Sequence, residues 1–101
     1  MAEVRWTDQA LADLDAIFLF VARDAPRYAE LLAQRVVGAT DRLAEFPRSG
    51  RTVPEIGQED IREVIVQSYR VIYRVLPDLV QILAVHHAAR PLRGFDLPGA
   101  G

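Results

Sequence analysis

Two adjacent histidines, His86 and His87, stand late in a sequence whose other chemically active side chains are arginines and carboxylates. Cysteine is absent, which excludes thiolate nucleophiles, disulfides and cysteine-based zinc sites. Acid–base and electrostatic chemistry remain. Such chemistry needs a base, a cation beside developing negative charge and an acid for the leaving group. Glu63 or Glu55 can supply the base, Arg70 the cation and His87 the acid. The same residues have a plainer reading. Arg70 and Arg74 with Glu63 can form a cross-strand salt-bridge ladder, worth about 0.2–1 kcal/mol per pair. His86 then ends a core-facing row and hydrogen-bonds the backbone. Neighbours on a strand point apart, so His86 and His87 alone make no metal site. Gly50-Arg51 shapes a loop from which Arg51 can face a partner.

These residues need elements to position them. Glu3 to Trp6 alternates apolar and charged residues and predicts a first strand, with Trp6 in the core. Thr7 is suited to cap a helix whose stripe is Leu11, Leu14, Phe18 and Val21, with Ala10 and Ile17 beside it. Asp24-Ala25-Pro26 ends that helix, and Pro26 fits the first turn of another. The second stripe is Leu32, Val36, Ala39, Leu43 and Phe46, after which Pro47 stops the helix. Residues 47–60 hold two prolines and two glycines and predict a loop. Ile61–Val66, Tyr69–Leu76 and Leu79–His87 then form a meander with Gln67-Ser68 and Pro77-Asp78 as turns. The expected fold is α+β with order β-α-α-β-β-β, a helical hairpin packed on one face of a mostly antiparallel sheet.

Two-residue turns place Val66 opposite Tyr69 and Leu76 opposite Leu79, and opposite residues share a face. One face then holds Val64, Val66, Tyr69, Val71, Tyr73, Val75, Val80, Ile82 and Ala84, and the helices should cover it. The other holds Glu63, Ile65, Arg70, Ile72, Arg74, Gln81, Leu83, Val85 and His87, and stays open.

Composition bounds the function. The 101 residues, 50% hydrophobic and 26% charged, suit one globular domain. So short a chain is marginally stable and gains from a bound partner. Residues 1–60 carry 7 arginines against 11 acids, and residues 61–101 carry 5 against 3. All basic residues are arginine, and the formal net charge is −2. General nucleic-acid affinity is therefore weak, and any contact is local to the C-terminal third. No apolar run approaches the roughly 18 residues of a membrane span. Met1-Ala2-Glu3 opens without a basic or apolar leader, so a cytoplasmic location is expected.

Several stretches together resemble a known family. They are Trp6-Thr7 with Ala10, Asp13-Leu14 and Ile17; Leu43-Ala44-Glu45-Phe46-Pro47-Arg48-Ser49-Gly50-Arg51; and Ile61-Arg62-Glu63. Tyr69-Arg70-Val71-Ile72-Tyr73-Arg74 and Ile82-Leu83-Ala84-Val85-His86-His87 with Arg90 complete the set, and are its most specific part. From about residue 4 to about 91 the chain resembles the RelE/ParE toxin superfamily, nearer its ParE branch. The resemblance implies one toxin domain over residues 1–91, with 92–101 a flexible tail. It implies a cognate antitoxin that wraps the toxin in a hetero-oligomer, laying a helix across the helical hairpin or the sheet and adding a strand at an edge. For a ParE-like toxin it implies DNA gyrase as target, growth inhibition by blocked replication, and no catalytic residue. The alternatives are a RelE-like ribosome-dependent mRNA endonuclease using Arg70, His87 and Glu63, and a non-toxic antitoxin-binding relative. Three departures favour the ParE reading: no lysine, Ala88-Ala89 where nucleases of the family carry an aromatic or basic residue, and low net charge. The residues expected to meet the target or antitoxin are Arg51, Arg62, Arg70, Arg74, His87 and Arg90. No cofactor, metal or membrane contact is expected.

Overall fold

Thr7 joins the first strand to the first helix. Its Oγ1 accepts a hydrogen bond from the Ala10 amide at 3.1 Å and donates to the Ile82 carbonyl at 2.8 Å. One side chain thus caps the helix and ties its start to the sheet. In the computed structural model, which describes residues 1–93, the order is β1 (Glu3–Trp6), α1 (Asp8–Ala22), α2 (Pro26–Arg42), β2 (Arg51–Thr52), β3 (Ile61–Val66), β4 (Tyr69–Leu76) and β5 (Leu79–His87). Pro26 sits in the first turn of α2, where its missing N–H leaves no gap in the ladder.

The sheet order is β1-β5-β4-β3-β2, with β1 parallel to β5 and the other pairs antiparallel. Both hairpins close as expected, Val66 opposite Tyr69 and Leu76 opposite Leu79. Gln67 takes a φ of 54°, the left-handed geometry that tight hairpin turns demand. The two helices lie on one face of this five-stranded mixed sheet. There Ala10, Leu32, Val36 and Leu43 meet Val71, Tyr73, Val80, Ile82 and Val85. Tyr73 and Ile82 are wholly buried.

The opposite face is not open. Residues 53–60 fold across it as a strap. Val53 and Ile56 pack on Ile61, Ile72, Leu83 and Ala84, joined by Leu92. Arg62 holds both ends of the strap, donating to the Gly50 carbonyl and the Glu59 carbonyl, each at 2.9 Å. Gly50 itself has no room for a side chain: a Cβ there would strike the Glu63 carbonyl and the Tyr73 hydroxyl. Its amide instead donates to that hydroxyl at 3.0 Å.

Other expectations need correction. The second helix ends at Arg42, short of Phe46, and Phe46 is exposed. Leu11 is exposed as well, because the face of α1 that meets the sheet is set by Ala10, Leu14, Ile17 and Val21. Within the expected loop, Arg51–Thr52 pairs with Arg62 and Glu63 as the short β2. The largest correction lies in β5. Its register against β4 shifts, so that Tyr73 opposes Ile82 but Ile72 opposes Ala84. Leu83 is the extra residue of a bulge. Beyond it every side chain changes face: Ala84 joins the strap-side cluster and Val85 the helix-side core. From residue 94 on, the expected tail lies outside the described residues. No helix among those described is long and apolar enough to cross a membrane.

Candidate functional site

The pairing of β3 with β4 sets Ile65 opposite Arg70 and Glu63 opposite Ile72, so Glu63 and Arg70 are diagonal neighbours on the strap side. β2 brings Arg51 opposite Glu63, and the strap delivers Glu55 from above. These four side chains form one network. Glu63 accepts from Arg70 Nε at 2.5 Å and from Arg51 Nε at 2.6 Å, one guanidinium on each carboxylate oxygen. Arg70 spends its two terminal nitrogens on Glu55, at 2.6 and 2.7 Å, in a bidentate clamp. The Glu63 side chain is 0% exposed and that of Arg70 7%. The Arg70 guanidinium holds the Glu55 carboxyl down at about 2, from an ordinary 4.5, against a smaller opposing effect of burial. Arg70 is pushed up in turn, chiefly by its bonds to Glu55, with Glu63 adding to them and burial opposing.

This network joins Arg51, Glu55, Glu63 and Arg70, all four singled out from sequence. The others lie apart. Arg74 shares the strap side but lies towards Asp60, 3.7 Å from its carboxylate. Arg62 serves the strap carbonyls. His87 is on the opposite side from Arg70: the β5 bulge places it opposite Tyr69, their rings 5.2 Å apart and edge to face. Its Nδ1 accepts from the Ala89 amide at 3.1 Å. His86, in place of His87, shares the side of the sheet on which Arg70 lies, and stands directly opposite it. It does not end the helix-side row. It is 5% exposed, and its Nε2 has no hydrogen-bond partner among the described residues. His87 and Arg90 line a cleft of about 300 Å³ with Asp13, Phe20 and Tyr69. The Asp13 carboxylate there caps the Val85 amide at 3.0 Å. Among the described residues no three His, Asp or Glu side chains converge as a metal site requires.

A general base must reach its proton with a free lone pair and a pKa near the working pH. Glu63 is sealed from solvent with both oxygens engaged, and Glu55 is held far below neutrality. The arrangement is suited to pinning the strap. The reading that grouped His87 with Arg70 missed the exchange of His86 and His87. Apolar residues fill both faces of Ile82–Val85, so no alternation marks the bulge.

Comparison with known proteins agrees with the fold. The family described as ParE toxin of type II toxin–antitoxin system, parDE, matches residues 4–92. The chain is 42% identical over 91 residues to Toxin RelE2 of Caulobacter vibrioides, covering 89% of this chain and 99% of that protein. It superposes with a TM-score of 0.73 and 26% identity on a chain of the chromosomal ParDE TA system from P. aeruginosa, covering 86% of this chain and 96% of the other. Register, helical hairpin and sequence similarity agree, and the chain belongs to the ParE toxin family of type II toxin–antitoxin systems, within the RelE/ParE superfamily.

Proposed function

We propose that this toxin acts by binding DNA gyrase and stalling it on cleaved DNA, with no catalytic residue of its own, and that its cognate antitoxin neutralises it. One observation carries the reading: both candidate bases are committed to guanidinium groups, and the candidate acid stands on the other side of the sheet. Glu63 lies sealed between two guanidinium groups, Glu55 is clamped to Arg70, and His87 stands across the sheet from both. General acid–base cleavage needs a free base and an acid on the same phosphodiester. The contact surface we assign to target and antitoxin is the outer face of the helical hairpin and the end of β5. Leu19 and Phe20 of α1 and Leu31 of α2 are exposed, and His87 and Arg90 flank Phe20 at the cleft. Arg51, whose side chain is exposed, stands at the margin of the strap where a second contact can form, and Arg74 lies nearby towards Asp60. Arg62 and Arg70 act in this reading as struts of the fold.

The test is a supercoiling assay with purified gyrase and toxin, scored also for covalently trapped DNA breaks. The expected result is loss of supercoiling with accumulation of breaks, reversed by antitoxin. Unchanged supercoiling at excess folded toxin rejects the proposal. Ribosome-dependent mRNA cleavage is the second reading, favoured by the buried His86 lying opposite Arg70. It requires that His86→Ala abolish growth arrest while the fold is kept, and the gyrase reading requires that arrest persist.

A further inference from the structure

We propose that two copies of this chain pair face to face through their helical hairpins, α1 of each lying antiparallel on α2 of the other. The argument begins with spacing. Asp8, Ala12, Asp15 and Leu19 of α1 are exposed and recur at intervals of four, three and four residues, which holds them on one face of the helix. On α2, Leu31, Arg35, Gly38 and Arg42 recur at the same intervals, the glycine half-buried and the rest exposed. Read in opposite directions, the rows match position by position. Leu19 meets Leu31, and Ala12 meets Gly38. Asp15 meets Arg35, and Asp8 meets Arg42. Among the described residues none of these four charged side chains forms an ion pair within the chain. The helices as wholes are complementary too. α1 carries three aspartates and no basic residue, whereas α2 carries three arginines against two acids.

The rows also stand at matching heights. Leu19 lies three residues before the end of α1 and Leu31 five after the start of α2. Asp15 and Arg35 lie seven and nine residues from those ends, and Asp8 and Arg42 fourteen and sixteen. The constant difference of two residues is a slide of about 3 Å. A two-fold axis parallel to the helices and above the hairpin therefore lays α1 of one copy on α2 of the other with all the pairs in register, as an antiparallel four-helix bundle. A two-fold axis across the helices would instead lay α1 on α1, setting Asp8 and Asp15 against their own copies, and like charges oppose it. Gly38 helps the chosen arrangement. A Cβ there would meet nothing within 4 Å, so its absence leaves a notch that admits the small Ala12 and lets the helices approach. A nucleic acid fits this face poorly, because half of it is acidic. The pairing goes beyond the gyrase reading. Leu19 and Leu31 belong to the face assigned above to target and antitoxin, so self-pairing withholds that face, a consequence that rests on the assignment while the pairing itself does not.

The test is sedimentation equilibrium of the purified full chain, free of antitoxin. The expected result is a monomer–dimer equilibrium whose limiting mass is twice 11.3 kDa. Asp8→Arg with Asp15→Arg should weaken pairing at least about tenfold, and so should Arg35→Asp with Arg42→Asp, each double variant keeping the circular dichroism of the parent. Mixing the two double variants should restore a dimer, because the facing rows are then again opposite in sign. Gly38→Gln tests the same contact without touching charge: it removes a helical glycine into open space, so helix content is kept while pairing weakens. A mass of 11.3 kDa at every concentration (the face then belonging to antitoxin alone), a dimer unmoved by the charge reversals, or double variants that stay apart when mixed would each overturn the proposal. A negative gyrase assay leaves these masses unchanged, so the two proposals fall separately.

Discussion

Glu63 has two cationic neighbours and no solvent, so removing its carboxylate strands Arg70 in the sheet with half its partners gone. Breaking a buried pair from one side costs about 3–5 kcal/mol. Glu63→Ala should lower the urea unfolding free energy by that order, and a cost under about 1 kcal/mol, typical of an exposed pair, would refute the buried-network account. Glu55 predicts a pH dependence. Its carboxyl sits at about 2 in the folded protein and near 4.5 when free. A group whose folded pKa is depressed contributes stability that is complete above its unfolded value and is lost as pH falls towards its folded value. Stability should therefore fall between about pH 4.5 and 2, and Glu55→Gln should flatten that slope. Equal slopes in the two proteins would mean that the clamp is absent in solution. The partial exposure of Glu55 screens the effect, so its direction is the diagnostic feature.

At the scale of elements, α1 carries Leu19 and Phe20 into solvent, the latter 68% exposed. Exposed apolar residues of this size on one helical face mark a contact surface. Phe20→Glu should leave folding stability within about 0.5 kcal/mol. It should weaken antitoxin binding at least tenfold by titration calorimetry, the effect of losing about 1.4 kcal/mol or more at an aromatic anchor. Undiminished affinity would move the contact elsewhere. The elements themselves were largely legible in sequence. β1, β3, β4 and β5 fall where alternation and turn residues place them, because each strand is long enough to repeat its pattern and each turn is chemically marked. β2 was not, since two residues carry no period. The strap carries no such signal, because Val53 and Ile56 are isolated apolar residues in a polar, glycine- and proline-rich stretch whose pattern is that of a bare loop. The candidate site suffered most from the bulge. A single extra residue in β5 exchanges His86 for His87, and with that exchange the catalytic grouping suggested by the residue types comes apart.

At the scale of the whole molecule, a chain of 101 residues with two layers on one sheet and apolar side chains left on its outer helices gains stability when those are covered. Antitoxin at about a thousand times its dissociation constant should add roughly 4 kcal/mol. In a domain near this size that raises the melting temperature by more than about 10 °C. A melting temperature indifferent to saturating antitoxin would contradict a complex that buries the hairpin. In the gyrase reading, growth arrest comes from binding and not from RNA cleavage. Mapping transcript 5′ ends across the cell in the first minutes after induction of the toxin tests it most directly. Arrested growth with coding sequences uncut is the predicted result. New cuts within translated messages, appearing as growth stops, would contradict it.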